Sequence, residues 1–170
     1  MLPKLAVFQA MCFVALASVV VPTFAVSSTK EDVCPVLPKL LFVIQGVGYV
    51  QRSKGAIVPV TLYLVYKEKD AIGIPENKYF EFVCGLVKVG VGQPIVLKEG
   101  YAILDVLNKK VKLFAEVKNI DLGGTAVSLS GTFIASGTTL KMKLNGTLRS
   151  WTIIYPLHIW ATGTLQPVKP

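Results

Sequence analysis

The chain has 170 residues, of which 52% are hydrophobic and 16% are charged, with 18 Lys and Arg against 10 Asp and Glu. This apolar composition excludes an intrinsically disordered chain, because burial of the apolar side chains can offset the entropy that is lost on ordering. The 14 Gly and 10 Pro show no period of three, which excludes collagen, and 3 Cys are too few for a disulfide-dense miniprotein.

The first segment of the chain predicts export. Lys4 precedes an apolar run from Leu5 to Val21, and the small residue Ala25 stands at a suitable cleavage point. Such an order is typical of a secretory signal peptide over residues 1–25. We expect a single mature domain over 26–170 and a location that is secreted, either extracellular or in the endolysosomal lumen. An uncleaved signal anchor is the alternative, because the apolar run is nearly long enough to span a bilayer.

Two cysteines, Cys34 and Cys84, remain after this cleavage. An even pair in an oxidising compartment predicts one disulfide bond between them. The bond would join the start of the mature chain to a strand in its middle. A catalytic thiol is the alternative, and nothing in the spacing favours it.

Alternation of apolar and polar residues, as in Val111–Val117, predicts half-buried antiparallel strands. Other runs are apolar throughout and rich in the β-branched and aromatic residues that strands prefer. The predicted strands cover 57–66, 79–84, 101–107, 111–117, 127–133, 140–144 and 151–160.

Turn residues separate these runs, among them the pairs Gly46/Gly48 and Gly90/Gly92. Pro156 interrupts the last run and requires a strand edge, a bulge or a break. The turns recur at roughly 8–12 residues, which is typical of a sandwich or barrel. We therefore predict an all-β fold, either an antiparallel, immunoglobulin-like sandwich or an open barrel.

Asn145 begins the sequence Asn-Gly-Thr, the only N-glycosylation sequon of the chain. Export makes Asn145 a predicted glycosylation site. The alternative is a chance Asn-Gly pair in a turn or bulge.

Residues suited to catalysis are scarce. The sole histidine, His158, lies between Leu157 and Ile159, which favours a structural, hydrogen-bonded role. The chain has no Gly-x-Ser-x-Gly motif, no zinc-ligand cluster and no phosphate-binding glycine loop. We therefore expect a protein that is not an enzyme and that needs no metal and no cofactor.

The positive charge comes almost wholly from lysine, whereas nucleic-acid binders favour arginine, so no nucleic-acid partner is expected. The densest group of lysines is Lys109, Lys110 and Lys112, followed by Lys118, and Lys141 and Lys143 lie on another predicted strand. If these strands are neighbours, they form a basic face that an anionic membrane surface would attract. Simple solubility is the alternative.

Two predicted strands, 57–66 and 151–160, are apolar on both faces. Either they are covered twice in a filled core, or part of their surface lines a cavity for a lipid-like ligand. The candidate cavity residues are large apolar side chains: Leu62, Leu64, Phe80, Phe82, Leu113, Phe133, Trp151 and Trp160.

Two segments show a family resemblance. The first is Val60–Lys69 with the residues that follow to Cys84, and the second is Gln93–Gly100, which ends in Lys-Glu-Gly. Both resemble the MD-2-related lipid-recognition proteins of the ganglioside-activator type. The resemblance covers about forty residues and implies an immunoglobulin-like sandwich whose two sheets splay to hold acyl chains. This chain has Gln93 where that family has a cysteine before the proline, and no cysteine follows Cys84.

Together these observations predict a secreted, non-enzymatic carrier or recognition protein for a hydrophobic small molecule or lipid held between β-sheets. Two alternatives remain. One is a secreted structural protein that self-assembles, and the other is a module that binds a protein partner through a sheet edge or a surface patch.

Overall fold

The structure is a computed structural model and describes residues 41–52, 55–69, 77–117 and 124–166. Within these ranges the chain forms antiparallel strands and no helix, which confirms the all-β prediction. The strands are β1 (Leu41–Gln51), β2 (Ile57–Lys69), β3 (Asn77–Val89), β4 (Ile95–Leu97), β5 (Glu99–Asp105), β6 (Lys110–Val117), β7 (Thr125–Ser136), β8 (Thr139–Ser150) and β9 (Ile153–Gln166). No helix long and apolar enough to cross a lipid bilayer occurs in the described part of the chain.

Eight of these strands form a closed barrel. Their order is β2-β1-β9-β8-β7-β6-β5-β3, and pairing of β2 with β3 closes the ring. The short β4 pairs with β3 in the same register as β5, so β4 and β5 together fill one strand position. The sequence predicted a sandwich or an open barrel, and the structure shows a barrel that is closed. Closure differs from the two-sheet sandwich that the family resemblance implies, and it leaves no long edge unpaired.

A β-bulge lies where β2 meets β3. Val65 is opposite Cys84, and Tyr66 is opposite Phe82, so Val83 is the extra residue on β3. Such a bulge bends its strand and exchanges the two faces. The side chains of Phe80 and Phe82 therefore point inward before the bulge, whereas those with odd numbers point inward after it.

Two glycines that predicted a turn, Gly46 and Gly48, instead lie inside β1. A Cβ atom on Gly48 would overlap the backbone carbonyl oxygen of His158 on β9, so the two strands approach more closely there than a side chain allows. Glycine at these two positions permits this close contact between β1 and β9. The other pair behaves as predicted, because Gly90 adopts a positive φ of 60° in the turn after β3.

The barrel interior is one apolar cluster. Inward side chains of all nine strands belong to it, and its largest fully buried members include Tyr66, Phe42 and Phe80. The ring centroids of Phe42 and Phe80 are 5.1 Å apart, and those of Tyr66 and Phe82 are 5.4 Å apart. An eight-stranded barrel encloses just enough space for its own side chains or one small ligand. Here the described side chains pack together inside it.

One hydroxyl group is buried in this interior. The Oη of Tyr66 donates a hydrogen bond to the backbone carbonyl of Phe114 at 3.3 Å. Burial raises the pKa of Tyr66 well above its usual value of 10.0, because the phenolate cannot be solvated there. Among the described residues, no buried polar side-chain atom lacks a hydrogen-bond partner.

Candidate binding face on the outside of the barrel

Alternation along β9 directs two ring-bearing side chains outward. Leu157 and Ile159 are each 1% exposed and point into the barrel. His158 and Trp160 therefore point out, and Trp160 is 51% exposed. The next inward-pointing positions of β9 are Ala161 and Gly163, so small residues occupy the space inside the barrel. The large indole of Trp160 lies on the surface.

A third ring joins them from the neighbouring strand. Tyr49 of β1 lies opposite His158, with ring centroids 5.0 Å apart, and 6.0 Å from the ring of Trp160. These rings form one wall of a groove of about 300 Å³, which we call the aromatic groove. Its lining residues are Tyr49, Lys143, Leu144, Asn145, His158, Ile159 and Trp160.

Polar groups of β8 form the other wall of the aromatic groove. The Oδ1 of Asn145 lies 2.7 Å from Nδ1 of His158. With the carboxamide oxygen as acceptor, Nδ1 of His158 carries the proton and donates. This bond fixes the imidazole ring and agrees with the predicted hydrogen-bonded role of His158, although the ring lies outside the core. Lys143 adds a positive charge beside Trp160, its partner across β8 and β9.

The strand register continues this face toward β6. Lys143 lies opposite Thr132 of β7, which lies opposite Lys110 of β6. In the next row, Asn145 lies opposite Ser130, which lies opposite Lys112. The two lysine-bearing strands therefore flank β7, as the sequence analysis required for a basic face.

We call the four lysines Lys110, Lys112, Lys141 and Lys143 the basic face. Adjacent strands are about 4.8 Å apart, so the lysines of β6 and β8 are about 10 Å apart across the hydroxyl-bearing β7. Within the described ranges no ion pair joins these lysines to a carboxylate. Asp105 of β5 lies opposite Lys110 at the margin of the face. Hydrogen bonds from Asn108, with the nearby charge of Lys110, lower the pKa of Asp105.

A second groove lies on another part of the barrel surface, across β3, β5 and β6. It has about 370 Å³ of space, and we call it the acidic groove. Its lining residues are Glu81, Phe82, Lys98, Glu99, Gly100, Tyr101, Phe114 and Glu116. The rings of Tyr101 and Phe114 are 5.6 Å apart.

The carboxylates of the acidic groove have partners within the molecule. Lys67 Nζ lies 3.2 Å from a carboxylate oxygen of Glu81, and Arg149 Nη2 lies 3.5 Å from one of Glu116. The groove therefore combines exposed aromatic rings with charges that are compensated locally.

The structure separates the eight predicted cavity residues into two sets. Six of them belong to the interior cluster: Leu62, Leu64, Phe80, Phe82, Leu113 and Phe133. Trp151 and Trp160 do not, because both side chains are more than half exposed. Trp151 lies in the turn between β8 and β9, where its backbone N–H donates to the carbonyl of Gly124 at 3.0 Å. The two tryptophans therefore cannot line the interior.

Other predicted features fall partly outside the described residues. The signal peptide over 1–25 and Cys34 lie outside them, so cleavage and the Cys34–Cys84 bond stay predictions. Cys84 itself is 4% exposed on β3. Asn145, the predicted glycosylation site, lies exposed on β8 in the aromatic groove.

Tyr49 was not among the predicted site residues. The signal for it was the glycine-flanked alternation Gly46-Val-Gly48-Tyr49, which is a strand pattern once the glycines are accepted inside a strand. No group of His, Cys, Asp and Glu side chains in the described ranges could hold a metal ion. No protein-family model, curated protein or solved structure matches the chain.

Proposed function

We propose that this protein is a non-enzymatic recognition protein that binds a carbohydrate on the outside of its barrel. The observation that carries the proposal is the aromatic groove, in which Tyr49, His158 and Trp160 surround about 300 Å³ of open space next to an amide and an ammonium group. In this proposal the packed interior serves as a rigid scaffold for the groove.

A sugar ring fits the chemistry of this groove. The C–H groups on one face of a pyranose form a flat apolar surface, which can stack on the half-exposed indole of Trp160. The ring hydroxyls need donors and acceptors at the side, and Asn145 and Lys143 supply them. Binding sites commonly combine such aromatic surface with a few placed polar groups.

The absence of an enzymatic role is part of the proposal. The partner of His158 is the carboxamide of Asn145, which cannot take up a proton as a carboxylate does. Among the described residues that line the aromatic groove, none is an Asp, Glu, Ser or Cys. The groove therefore offers binding groups without a carboxylate, a serine or a cysteine to act with His158.

Transport of a lipid-like ligand inside the barrel is the second candidate. It is supported by the interior cluster, which is apolar apart from the hydroxyl group of Tyr66 and would suit an acyl chain. It requires the packed side chains to move apart, whereas the aromatic groove is already open. Both candidates assume the secretion that the start of the sequence predicts.

The chain has two tryptophans, so a Trp151→Phe variant leaves Trp160 as the sole indole fluorophore. We expect saturable changes in its fluorescence on titration with tetrasaccharides. Trp160→Ala should then weaken binding about tenfold or more in calorimetry, because a stacked aromatic contact is lost. Tyr101→Ala is the matched control, since Tyr101 is 50% exposed and Trp160 is 51% exposed.

Equal losses for Trp160→Ala and Tyr101→Ala would overturn the groove as the site. Native mass spectrometry of the secreted protein tests the second candidate in parallel. A lipid bound at one-to-one stoichiometry, with no saccharide response at Trp160, would replace carbohydrate recognition with lipid transport.

A further inference from the structure

Resting on the proposed function, we infer that the ligand is an acidic glycan chain, bearing uronate or sulfate groups, that runs across the strands from the aromatic groove to the basic face. The binding site then extends over β1, β9, β8, β7 and β6. It joins two surface features that the strand register places in the same rows.

The register makes the two features continuous. One row runs from Val47 through Trp160, Lys143 and Thr132 to Lys110. Four strand spacings separate β1 from β6, a distance of about 19 Å along the surface. This is the length of a short oligosaccharide.

The neighbouring row has the same character. It runs from Tyr49 through His158, Asn145 and Ser130 to Lys112. Each row therefore contains a ring of the aromatic groove, Trp160 in the first and Tyr49 with His158 in the second, passes a hydroxyl group of β7 and ends at an ammonium group of β6.

The charge of the rows requires an anionic ligand. Neither row contains an acidic residue, and the first carboxylate beyond them is that of Asp105 on β5. Lys112, Lys141 and Lys143 form no ion pair among the described residues. Ammonium groups that the molecule leaves uncompensated attract carboxylate or sulfate groups of a partner. The hydroxyls of Ser130 and Thr132 between them can bind sugar oxygens.

The curvature of the face favours a chain over a membrane. The strands from β1 to β6 pass through β9, β8 and β7, which is four of the eight steps around the barrel. A flat bilayer cannot contact half of a cylinder at once, whereas a flexible glycan can follow the curve. An anionic membrane surface would use only part of the row and would leave the aromatic groove unexplained.

The test compares tetrasaccharides of equal length on the full mature protein. The probes are tetragalacturonate, a sulfated heparin tetrasaccharide and the neutral cellotetraose, measured by calorimetry at low and at high salt. We expect the acidic probes to bind at least tenfold more tightly than cellotetraose at low salt, and the advantage to shrink as salt screens the lysines.

Two double variants locate the charge. Lys112→Gln with Lys143→Gln removes one lysine from each row, and we expect about a tenfold loss for the acidic probes only. Lys69→Gln with Lys88→Gln makes the same change in net charge on β2 and β3, on the other side of the barrel, and should leave binding unchanged.

Separate outcomes distinguish the two proposals. Equal binding of neutral and acidic probes, lost in Trp160→Ala, would overturn the acidic ligand and keep carbohydrate recognition. Binding of none of the probes would overturn both. Lysine-dependent binding to phosphatidylserine vesicles, without binding of the soluble tetrasaccharides, would assign the basic face to a membrane and overturn the glycan.

Discussion

The two grooves on the barrel surface have similar volumes, about 300 and 370 Å³, and differ in charge. Each has a ring that is half exposed, Trp160 in the aromatic groove and Tyr101 in the acidic groove. Two carboxylates of the acidic groove form ion pairs with Lys67 and Arg149, whereas the lysines of the basic face form no ion pair among the described residues and have only Asp105 near Lys110. The two grooves therefore differ in how far the molecule itself compensates the nearby charge, rather than in their exposed rings.

The largest expected effect comes from adding a side chain at a glycine where two neighbouring strands approach closely. Gly146 lies next to Asn145, and a Cβ atom there would overlap the carbonyl oxygen of Ser128 and lie 2.9 Å from Cα of Leu129. Gly100 lines the acidic groove, where a Cβ atom would overlap the carbonyl oxygen of Phe114. Backbone cannot move aside cheaply, so we expect Gly146→Ala and Gly100→Ala each to lower the free energy of unfolding by about 3 kcal/mol or more.

Chemical denaturation measures both variants against Gly137→Ala. Gly137 lies in the turn between β7 and β8 with a φ of 60° and has open space around it. Its substitution should lower the free energy of unfolding by only about 1 kcal/mol, the cost of a left-handed backbone. A milder effect at Gly146 than at Gly137 would contradict the close approach of β7 and β8 beneath Asn145.

The next effect lies in the interior beside the acidic groove. Tyr66 donates to the carbonyl of Phe114, whose ring lines that groove. Tyr66→Phe removes this bond and should lower the free energy of unfolding at pH 8 by about 1 kcal/mol.

The pH dependence of the same variant gives a sharper result. Burial raises the pKa of Tyr66 in the folded state, so its contribution to stability is complete below the usual value of 10.0 and falls as the pH rises above it. The wild-type protein should lose about 1.4 kcal/mol per pH unit from this group in that range, and the variant should not. The difference in free energy of unfolding between wild type and variant should fall to zero near pH 11. A difference that stays constant with pH would argue against a buried phenol.

The smallest effect tests the charges directly. Arg149→Gln removes one partner of Glu116, whose side chain is only 13% exposed, and should lower the free energy of unfolding by about 0.5 to 1 kcal/mol. Lys143→Gln should change it by less than about 0.5 kcal/mol, because Lys143 forms no ion pair with any residue that the structure describes. Thermal unfolding of the two variants, at low and high salt, makes the comparison. A larger loss for Lys143→Gln would show that the basic face is already compensated.

Much of the fold was predictable because alternation reports burial. The run 111–117 became β6, and 127–133 and 140–144 lie within β7 and β8. Pro156 lies exposed in β9, one residue beyond the end of its pairing with β1, which is the strand edge that a proline requires. Closure was not predictable, because it depends on the pairing of β2 with β3 and on a bulge at Val83 that no local pattern marks.

The candidate site was harder to predict than the fold. In β9 the odd-numbered and the even-numbered positions both carry large apolar or ring-bearing side chains. The sequence therefore could not decide whether Leu157 and Ile159 or His158 and Trp160 point inward. The deciding fact is the packing inside the barrel along β9, where even a Cβ atom on Gly163 would lie 2.5 Å from the ring of Phe42. The basic face was predicted only on the condition that its strands are neighbours, and the register supplies that condition.

The hydrogen bond between Asn145 and His158 also bears on glycosylation at the aromatic groove. The bond uses Oδ1 of Asn145, so the amide nitrogen to which an N-linked sugar attaches stays uncommitted among the described residues. A sugar attached there would begin inside the groove and stack its first ring near Trp160. The protein would then exist in two forms, one whose groove holds its own glycan and one whose groove is open to a partner. The expression host, rather than the sequence, would decide which form a binding assay contains.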